Sequence, residues 1–321
     1  MASSRKSNSI DAVKHALDAA VSCIPLGDFP LAVAYSGGLD SSVLLHAVCK
    51  SSHGRERAVL AIHVDHGLSP NALLWKSHCE QVCSGLEVPL HVVKIDVPRG
   101  TRDGLESAAR RLRYQALAGE AKGPILLAHH ADDQAETFLH NTLRGAGVRG
   151  LAAMPSSSIA TKLVRPFLGL PRQVLREYAD RQALTWCEDE SNQENRQTRN
   201  FLRNQVMPEI KARFPSATIQ IARCAERMAG AQRLLDELAQ VDAGGVPAEF
   251  PFPAGTLVTL AEHRARNLLL WLLHRAGVQN PGEARLRQFV HQLRTAPNDR
   301  NPEMRVGDMR LSRRKGHIVL E

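Results

Sequence analysis

The chain has 321 residues, a length that suggests two domains at roughly 100–200 residues each. Apolar residues make up 43% and glycines number 22, an ordinary globular usage that excludes disordered and fibrous architectures. Lys and Arg total 41 against 33 Asp and Glu, a net charge of +8 that suits a polyanionic partner, whereas 4% aromatic content argues against a broad base-stacking platform.

In chain order, the first twenty residues lack the apolar core and small-residue cleavage site of a secretory signal. Their basic, Ser-rich start resembles a transit peptide, but Ile10 to Ala20 reads more simply as a surface helix. Leu31 to Tyr35, Val59 to His63, Leu90 to Ile95 and Pro124 to Ala128 read as short buried strands. Helical patterns follow each of them, over Ser42 to Lys50, Asn71 to Ser84, Leu105 to Leu117 and Asp133 to Arg144. Four strand–helix units in a row predict an α/β fold, a doubly wound parallel sheet with helices on both faces. Ligands of such sheets bind beyond the carboxyl ends of the strands, where Ser36 to Ser42, Asp65, His66 and His129 to Glu136 fall.

After Gly150 the pattern changes. Thr161 to Phe167 suggests one more strand and Pro171 to Gln182 a helix. Phe201 to Leu238 reads as helix broken at Pro208 and Pro215, and Gly244 to Gly255 as a Pro-rich linker. Leu257 to Ala276 and Glu283 to Leu293 read as helices, and Glu303 to Leu320 as short strands. The expected division is 1–215 for the nucleotide-binding domain and 216–321 for a smaller, mainly helical one. Arg285 to Lys315 holds nine basic residues against three acidic ones, a candidate grip on nucleic acid. No apolar run approaches the ~18–20 residues of a membrane span, so no membrane partner is expected. The six cysteines contain no C-x-x-C pair, which removes the usual zinc or redox spacing. Cys79 and Cys83, four apart, read as core packing on one helix face, and a reduced, cytoplasmic protein is expected.

The strongest motif is Ser36-Gly37-Gly38-Leu39-Asp40-Ser41-Ser42, between the first strand and the first helix of the sheet. Paired glycines let the backbone turn tightly, and the N–H groups of the following helix favour an anion. No Lys follows the glycines, which excludes G-x-x-x-x-G-K-S/T, and the spacing is not G-x-G-x-x-G either. The plain alternative is a Gly-rich turn that binds nothing. A second constellation is Asp133 and Glu136, three apart on one helical face at the mouth of the sheet, with Arg110 on a neighbouring helix. The alternative there is a helix start favoured by Asp132 and Asp133, with Arg110 paired to Glu106 on the surface.

S-G-G-x-D-S after a first strand resembles the signature of the PP-loop ATP pyrophosphatases, which have an adenine nucleotide alpha hydrolase-like fold. The resemblance implies cleavage of ATP between the α and β phosphates and adenylation of a substrate. It also implies that Ser36, Gly37, Gly38, Leu39, Asp40, Ser41 and Ser42 hold the pyrophosphate. Mg²⁺ would bridge Asp40 and the phosphates, and His63 with its neighbour Val64 would line the adenine.

Further blocks resemble one subfamily, the tRNA(Ile)-lysidine synthetases. They are His63-Val-Asp-His-Gly-Leu68, Leu105-Glu-Ser-Ala-Ala-Arg110 with Arg113-Tyr114, His129-His-Ala-Asp-Asp-Gln-Ala-Glu-Thr137 followed by Arg144-Gly-Ala-Gly147, and Asp189-Glu-Ser-Asn192 with Arg199-Asn-Phe-Leu-Arg203. These blocks cover about residues 31 to 215. Some members carry a further C-terminal domain, so the chain fits either the family's short form or a shortened member. The resemblance implies that ATP adenylates O2 of the wobble cytidine of tRNA(Ile) with anticodon CAU. Free L-lysine then attacks C2, so that decoding shifts from AUG to AUA and from Met to Ile. Asp40, Arg110, Asp133 and Glu136 would be the catalytic groups. Arg199 and Arg203 would touch RNA, with Arg310, Arg313 and Arg314 gripping its backbone. A homodimer is compatible with this reading. A PP-loop tRNA thiolase is the enzymatic alternative and lacks its sulfur-handling cysteine pair here. An ATP-sensing module is the non-enzymatic one, and leaves Asp133, Glu136 and the basic tail without a task.

Overall fold

The computed structural model describes residues 9–25, 27–67, 71–98, 105–158, 161–188, 198–278, 280–297 and 300–321, the side chains of 105–107 excepted. The Asp189–Asn192 block, Leu68 and the Glu106 side chain lie outside the described residues. The chain forms two compact units, Met1–Met228 and Ala229–Glu321.

In the first unit the elements are α1 (Ser9–Val21), β1 (Leu31–Ala34), α2 (Leu39–Lys50), α3 (Ser52–Glu56), β2 (Val59–Asp65), α4 (Ala72–Gly85), β3 (Leu90–Lys94), α5 (Leu105–Glu120) and β4 (Ile125–Leu126). They continue with α6 (Ala131–Leu143), α7 (Val148–Leu151), β5 (Ser157–Ser158), β6 (Leu163–Val164), α8 (Arg172–Arg181), α9 (Thr198–Phe201), a π-helical turn over Leu202–Val206, and α10 (Met207–Arg213). The sheet order is β3-β2-β1-β4-β6-β5, parallel throughout except for the edge pairing of β5 with β6. The chain winds from β1 to β2 and β3 on one side and returns to β4 on the other. The switch point therefore lies between β1 and β4, where α/β sheets open a crevice for ligands.

Alternation along the strands explains the two-sided core. Leu31, Val33, Tyr35, Val59, Ala61 and Leu126 join one buried cluster with α1, α2 and α8. Ala32, Leu60, Ile62, Ile125 and Leu127 join a second with Leu117 of α5. Successive side chains point to opposite faces, and both faces are covered, as a parallel sheet requires.

Between α2 and α8 a buried His46 lies with Nδ1 2.9 Å from the Tyr178 hydroxyl. Burial, aided by Lys50, holds the imidazole pKa below its usual value, so His46 is neutral in the fold. On unfolding it regains an ordinary pKa near 6.5 and takes up a proton below that pH. Its contribution is therefore present above about pH 6.5 and lost as pH falls towards the folded value, at most about 1.4 kcal/mol per pH unit. Urea unfolding between pH 7.5 and 5.5 is expected to give a shallower pH dependence for His46→Gln than for the wild type. Equal slopes would show that His46 titrates alike in both states.

α11 (Ala217–Asp242) contains the division between the units, in its fourth turn. The expected division at 215 falls just before this helix. Pro208 does not break a helix but sits in the first turn of α10, where a missing N–H is harmless. In the second unit β7 (Phe252–Pro253), α12 (Ala254–Thr259), α13 (Glu262–Arg275), α14 (Glu283–Thr295), β8 (Glu303–Val306), β9 (Met309–Arg314) and β10 (His317–Leu320) enclose their own core. An antiparallel sheet of order β7-β10-β9-β8 thus accompanies the expected helices. Among the described residues no helix is long and apolar enough to cross a membrane.

Candidate active site

Tyr35 N–H donates to the Ile62 carbonyl at 2.9 Å, and the chain then leaves the sheet. Gly37 turns with φ +82°, in the left-handed region that L side chains rarely adopt. A Cβ there would lie 2.9 Å from Cys79 Sγ, so conformation and space both demand glycine. Cys187 N–H donates to the Gly37 carbonyl at 2.9 Å. Ser36 and Ser41 brace the loop, with hydroxyls 3.1 Å apart and Ser41 Oγ donating to the Gly38 carbonyl at 3.0 Å. Gly38 precedes α2 without a side-chain cap, which leaves first-turn N–H groups and the positive end of the dipole for an anion. Leu39 packs into the core and offers backbone alone, and Ser42 is buried behind it.

Beside the loop lies a cavity of about 190 Å³, lined by Ser36, Gly38, His63, Val64, Asp65, His66, Ala72, Trp75, Arg113 and Cys187. His63 is buried and donates from Nδ1 to the Tyr35 carbonyl at 3.0 Å. Burial, only partly offset by that carbonyl and by Asp65, keeps its pKa low, so the ring is a neutral wall.

Across the switch point, His130 ends the connection from β4 and caps α6. Asp133 N–H donates to His130 Nδ1, and His130 N–H donates to Asp133 Oδ2 at 3.1 Å. His130 Nε2 also lies 3.6 Å from Asp40 Oδ2 and 3.4 Å from Asp133 Oδ2. Burial works against a charged ring there, but Asp40, Asp133 and Asp132 outweigh it and raise the pKa. Asp40 is the reverse case. Burial opposes its charge, and His130 and Arg172 overcome that and hold its carboxyl below the usual range. Arg172 Nε donates to Asp40 Oδ1 at 3.3 Å, while Asp132 accepts from Arg172 N–H at 2.9 Å and from Lys211 Nζ at 2.6 Å.

Asp133 and Glu136 do lie together, and Arg203 joins them. Its Nε donates to Glu136 Oε1 at 2.7 Å, and its Nη2 to Glu136 Oε2 at 2.8 Å and Asp133 Oδ1 at 3.0 Å. Glu136 is buried, and desolvation raises its pKa even against Arg203. The π-helical turn that places Arg203 is a backbone form that recurs at functional sites. Arg110 stands apart from this network. Its Nη2 lies 3.4 Å from the Tyr114 hydroxyl, its guanidinium 5.3 Å from that ring, and Arg113 is 5.6 Å from the same ring. Burial raises the Tyr114 pKa, but Arg110, Arg113 and Arg165 together bring it down. Burial, aided by the charges of the same three arginines, holds the His129 pKa well below its usual value and keeps the ring neutral.

The expected RNA contacts divide. Arg199 lies half-buried in α9, and Arg203 serves the carboxylates described above rather than an exposed surface. In the second unit Arg310 and Arg314 are exposed and pair with Glu321, and Arg310 also with Glu303. Arg313 is corrected: it is buried, and its Nη2 donates to the carbonyls of Pro297 and Arg300 at 2.6 Å each. Those carbonyls follow α14, so the guanidinium fastens a loop. Arg313→Gln is expected to cost the second unit about 2 kcal/mol in urea unfolding, through loss of the charge-assisted hydrogen bonds of a buried guanidinium. Exposed basic side chains remain on α14 (Arg285, Arg287, Arg294) and at Arg305 and Lys315.

Sequence reasoning left Arg172, Lys211 and His130 without roles. Asp40 and Arg172 are 132 residues apart and Asp132 and Lys211 79 apart, so no local pattern links them. Histidine is not among the usual capping residues, so only the acidic pair Asp132-Asp133 marked the start of this helix.

A family model described as a PP-loop domain matches residues 11–210, and one described as a TilS substrate binding domain matches residues 252–319. The chain is 43% identical over 292 residues to a protein named tRNA(Ile)-lysidine synthase from Burkholderia pseudomallei, covering 88% of this chain and 59% of that one. The protein of the same name from Alkalilimnicola ehrlichii is 42% identical, with 89% and 65% covered, and that from Pseudomonas putida 42%, with 89% and 69%. The chain thus spans about two thirds or less of the length of several relatives it matches. A U34-tRNA thiolase from Methanococcus maripaludis superposes with a TM-score of 0.58 at 15% identity, covering 68% of this chain and 78% of that one, a likeness of fold alone. With a PP-loop domain over residues 11–210 and these relatives, the chain belongs to the tRNA(Ile)-lysidine synthase family.

Proposed function

We propose that the protein is an ATP-dependent ligase that joins L-lysine to C2 of the wobble cytidine of tRNA(Ile) with a CAU anticodon. The observation that carries this reading is the facing pair of sites, an uncapped Gly-Ser loop on α2 and the Asp133–Glu136 carboxylates on α6, bridged by His130. The relatives' shared name favours it over a thiolase.

In this reading the loop N–H groups with Ser36 and Ser41 hold the β and γ phosphates, and the adenosine enters the cavity walled by His63 and Val64. Cytidine O2 attacks the α-phosphorus and the bond to pyrophosphate breaks. The lysine amine then attacks C2, the C2–O bond breaks, and AMP leaves with its electron pair. Glu136 and Asp133 orient the amine and take up its proton, a task suited to a carboxyl whose burial has raised its pKa. Decoding would thereby shift from AUG to AUA and the amino acid from Met to Ile.

Among the described residues no cluster of His, Cys, Asp or Glu is built to hold a metal by itself. A hard divalent ion shared between one ionised carboxylate and phosphate oxygens fits Asp40, which the protein keeps charged. Mg²⁺ bound there would neutralise charge on the departing pyrophosphate. The TilS match and the exposed arginines of α14 support the second unit as the tRNA grip. All six cysteines are free thiols, as a reducing cytoplasm would keep them.

The test is release of AMP and pyrophosphate from ATP with CAU-anticodon tRNA, with and without lysine, and recovery of lysine on the RNA. Release without any lysine incorporation would overturn the ligase reading.

A further inference from the structure

Asp40 has a partner on each carboxylate oxygen, a guanidinium and an imidazole. Arg172 Nε engages Oδ1 at 3.3 Å, and His130 Nε2 faces Oδ2 at 3.6 Å. Each carboxylate oxygen already faces one of these partners, and the reading above brings a divalent ion to the same carboxylate. An arriving cation repels a positive partner already there, and the less firmly held side chain is the one to yield. The His130 side chain is 4% exposed and is held in place as the cap of α6. The Arg172 side chain is 55% exposed, and its backbone N–H is fixed to Asp132 at 2.9 Å. Its Cα is anchored while its guanidinium is free to turn.

We propose that Arg172 is an exchangeable counter-ion, a positioning residue that holds Asp40 in the nucleotide-free protein and gives it up when metal and nucleotide enter. The displaced guanidinium, repelled by the metal now on Asp40, pairs with the pyrophosphate end of the nucleotide. Phosphate oxygens offer it a bidentate partner in place of a single 3.3 Å contact. The exchange keeps Asp40 aimed before the ligand arrives and places a positive charge in an acidic crevice shared with Asp132 and Asp133. This inference rests on the proposed ATP site.

Binding of α,β-methylene-ATP, which resists cleavage between the α and β phosphates, is measured by calorimetry across a range of Mn²⁺ concentrations. With competition for Asp40 removed, Arg172→Gln is expected to need several-fold less Mn²⁺ for half-maximal binding. At saturating Mn²⁺ the same variant should bind the analogue roughly tenfold more weakly, for want of one charge-assisted phosphate contact. Arg172→Lys keeps a cation and should recover most of that affinity. Exposed ion pairs add little stability, so melting of the nucleotide-free variants should stay near that of the wild type. If Arg172→Gln melts early, Arg172→Lys alone decides, by a smaller shift of Mn²⁺ dependence in the same direction. Unchanged Mn²⁺ dependence, or a parallel weakening towards both metal and nucleotide, would overturn the exchange. Failure of the wild type to bind the analogue at any Mn²⁺ concentration would instead overturn the ATP site itself.

Discussion

Arg203→Ala is expected to lower the unfolding free energy by about 2–3 kcal/mol, below the roughly 3–5 kcal/mol of a fully buried pair because the arginine is partly exposed. The same change should remove lysine incorporation while nucleotide affinity holds. Arg203 meets both carboxylates of α6, and without it Glu136 is a buried charge with no cationic partner at hydrogen-bonding distance among the described residues. The variant's pH dependence follows from that. Burial already raises the Glu136 pKa, and loss of the guanidinium raises it further. The folded protein then holds a proton that the unfolded chain has released, so stability falls as pH rises from the ordinary carboxylate range through the folded pKa. Glu136→Gln added to Arg203→Ala should restore stability without restoring product. Urea unfolding from pH 4.5 to 8, nucleotide binding and lysine incorporation are the three measurements. Equal loss of nucleotide affinity and product would assign the pair to the ATP site.

Gly37→Ala should disable the phosphate loop and Gly38→Ala should leave its shape intact. At 37 a methyl group meets a φ of +82° and lies 2.9 Å from the Cys79 sulfur. Left-handed backbone alone costs an alanine about 1–2 kcal/mol, and the buried thiol has little room to retreat. A loop displaced by an ångström would cost on the order of a hundredfold in turnover. At 38 the nearest atoms to a new Cβ are Ser36 Oγ at 3.6 Å and the Cys187 carbonyl at 3.9 Å, ordinary contacts. Gly38→Ala should therefore melt like the wild type, and any loss of nucleotide binding would measure how closely the ligand approaches that backbone. A Gly37→Ala protein with wild-type melting and affinity would sink the account of the loop.

The sheet was legible because its signals are local. A short, wholly apolar run such as Leu31 to Tyr35 states a strand covered on both faces, and the Gly-Ser loop must itself contain the glycine its turn needs. Asp133 and Glu136 were legible as a pair for the same reason, being one helical turn apart. Their partner was not, because Arg203 reaches Glu136 across 67 residues. Arg313 shows a signal passed over. It stands two residues from Leu311 on β9, so the strand period turns both to the same covered side, and the surrounding basic run concealed this. The strand at Phe252–Pro253 was hidden in a Pro-rich stretch because an edge position tolerates proline, as its pairing with His317 and Ile318 shows.

The wide turn over Leu202–Val206 makes the site sensitive to chain length as well as to composition. A π-turn accommodates one more residue than the α-helix around it. Trimming a single residue after Arg203 would let the segment tighten into regular helix, with α9 and α10 still in register but without the widened turn on which Arg203 stands. The guanidinium would then leave α6 although every named side chain was still encoded. The spacing of residues 202–206 is thus as much a part of the carboxylate site as Arg203 itself.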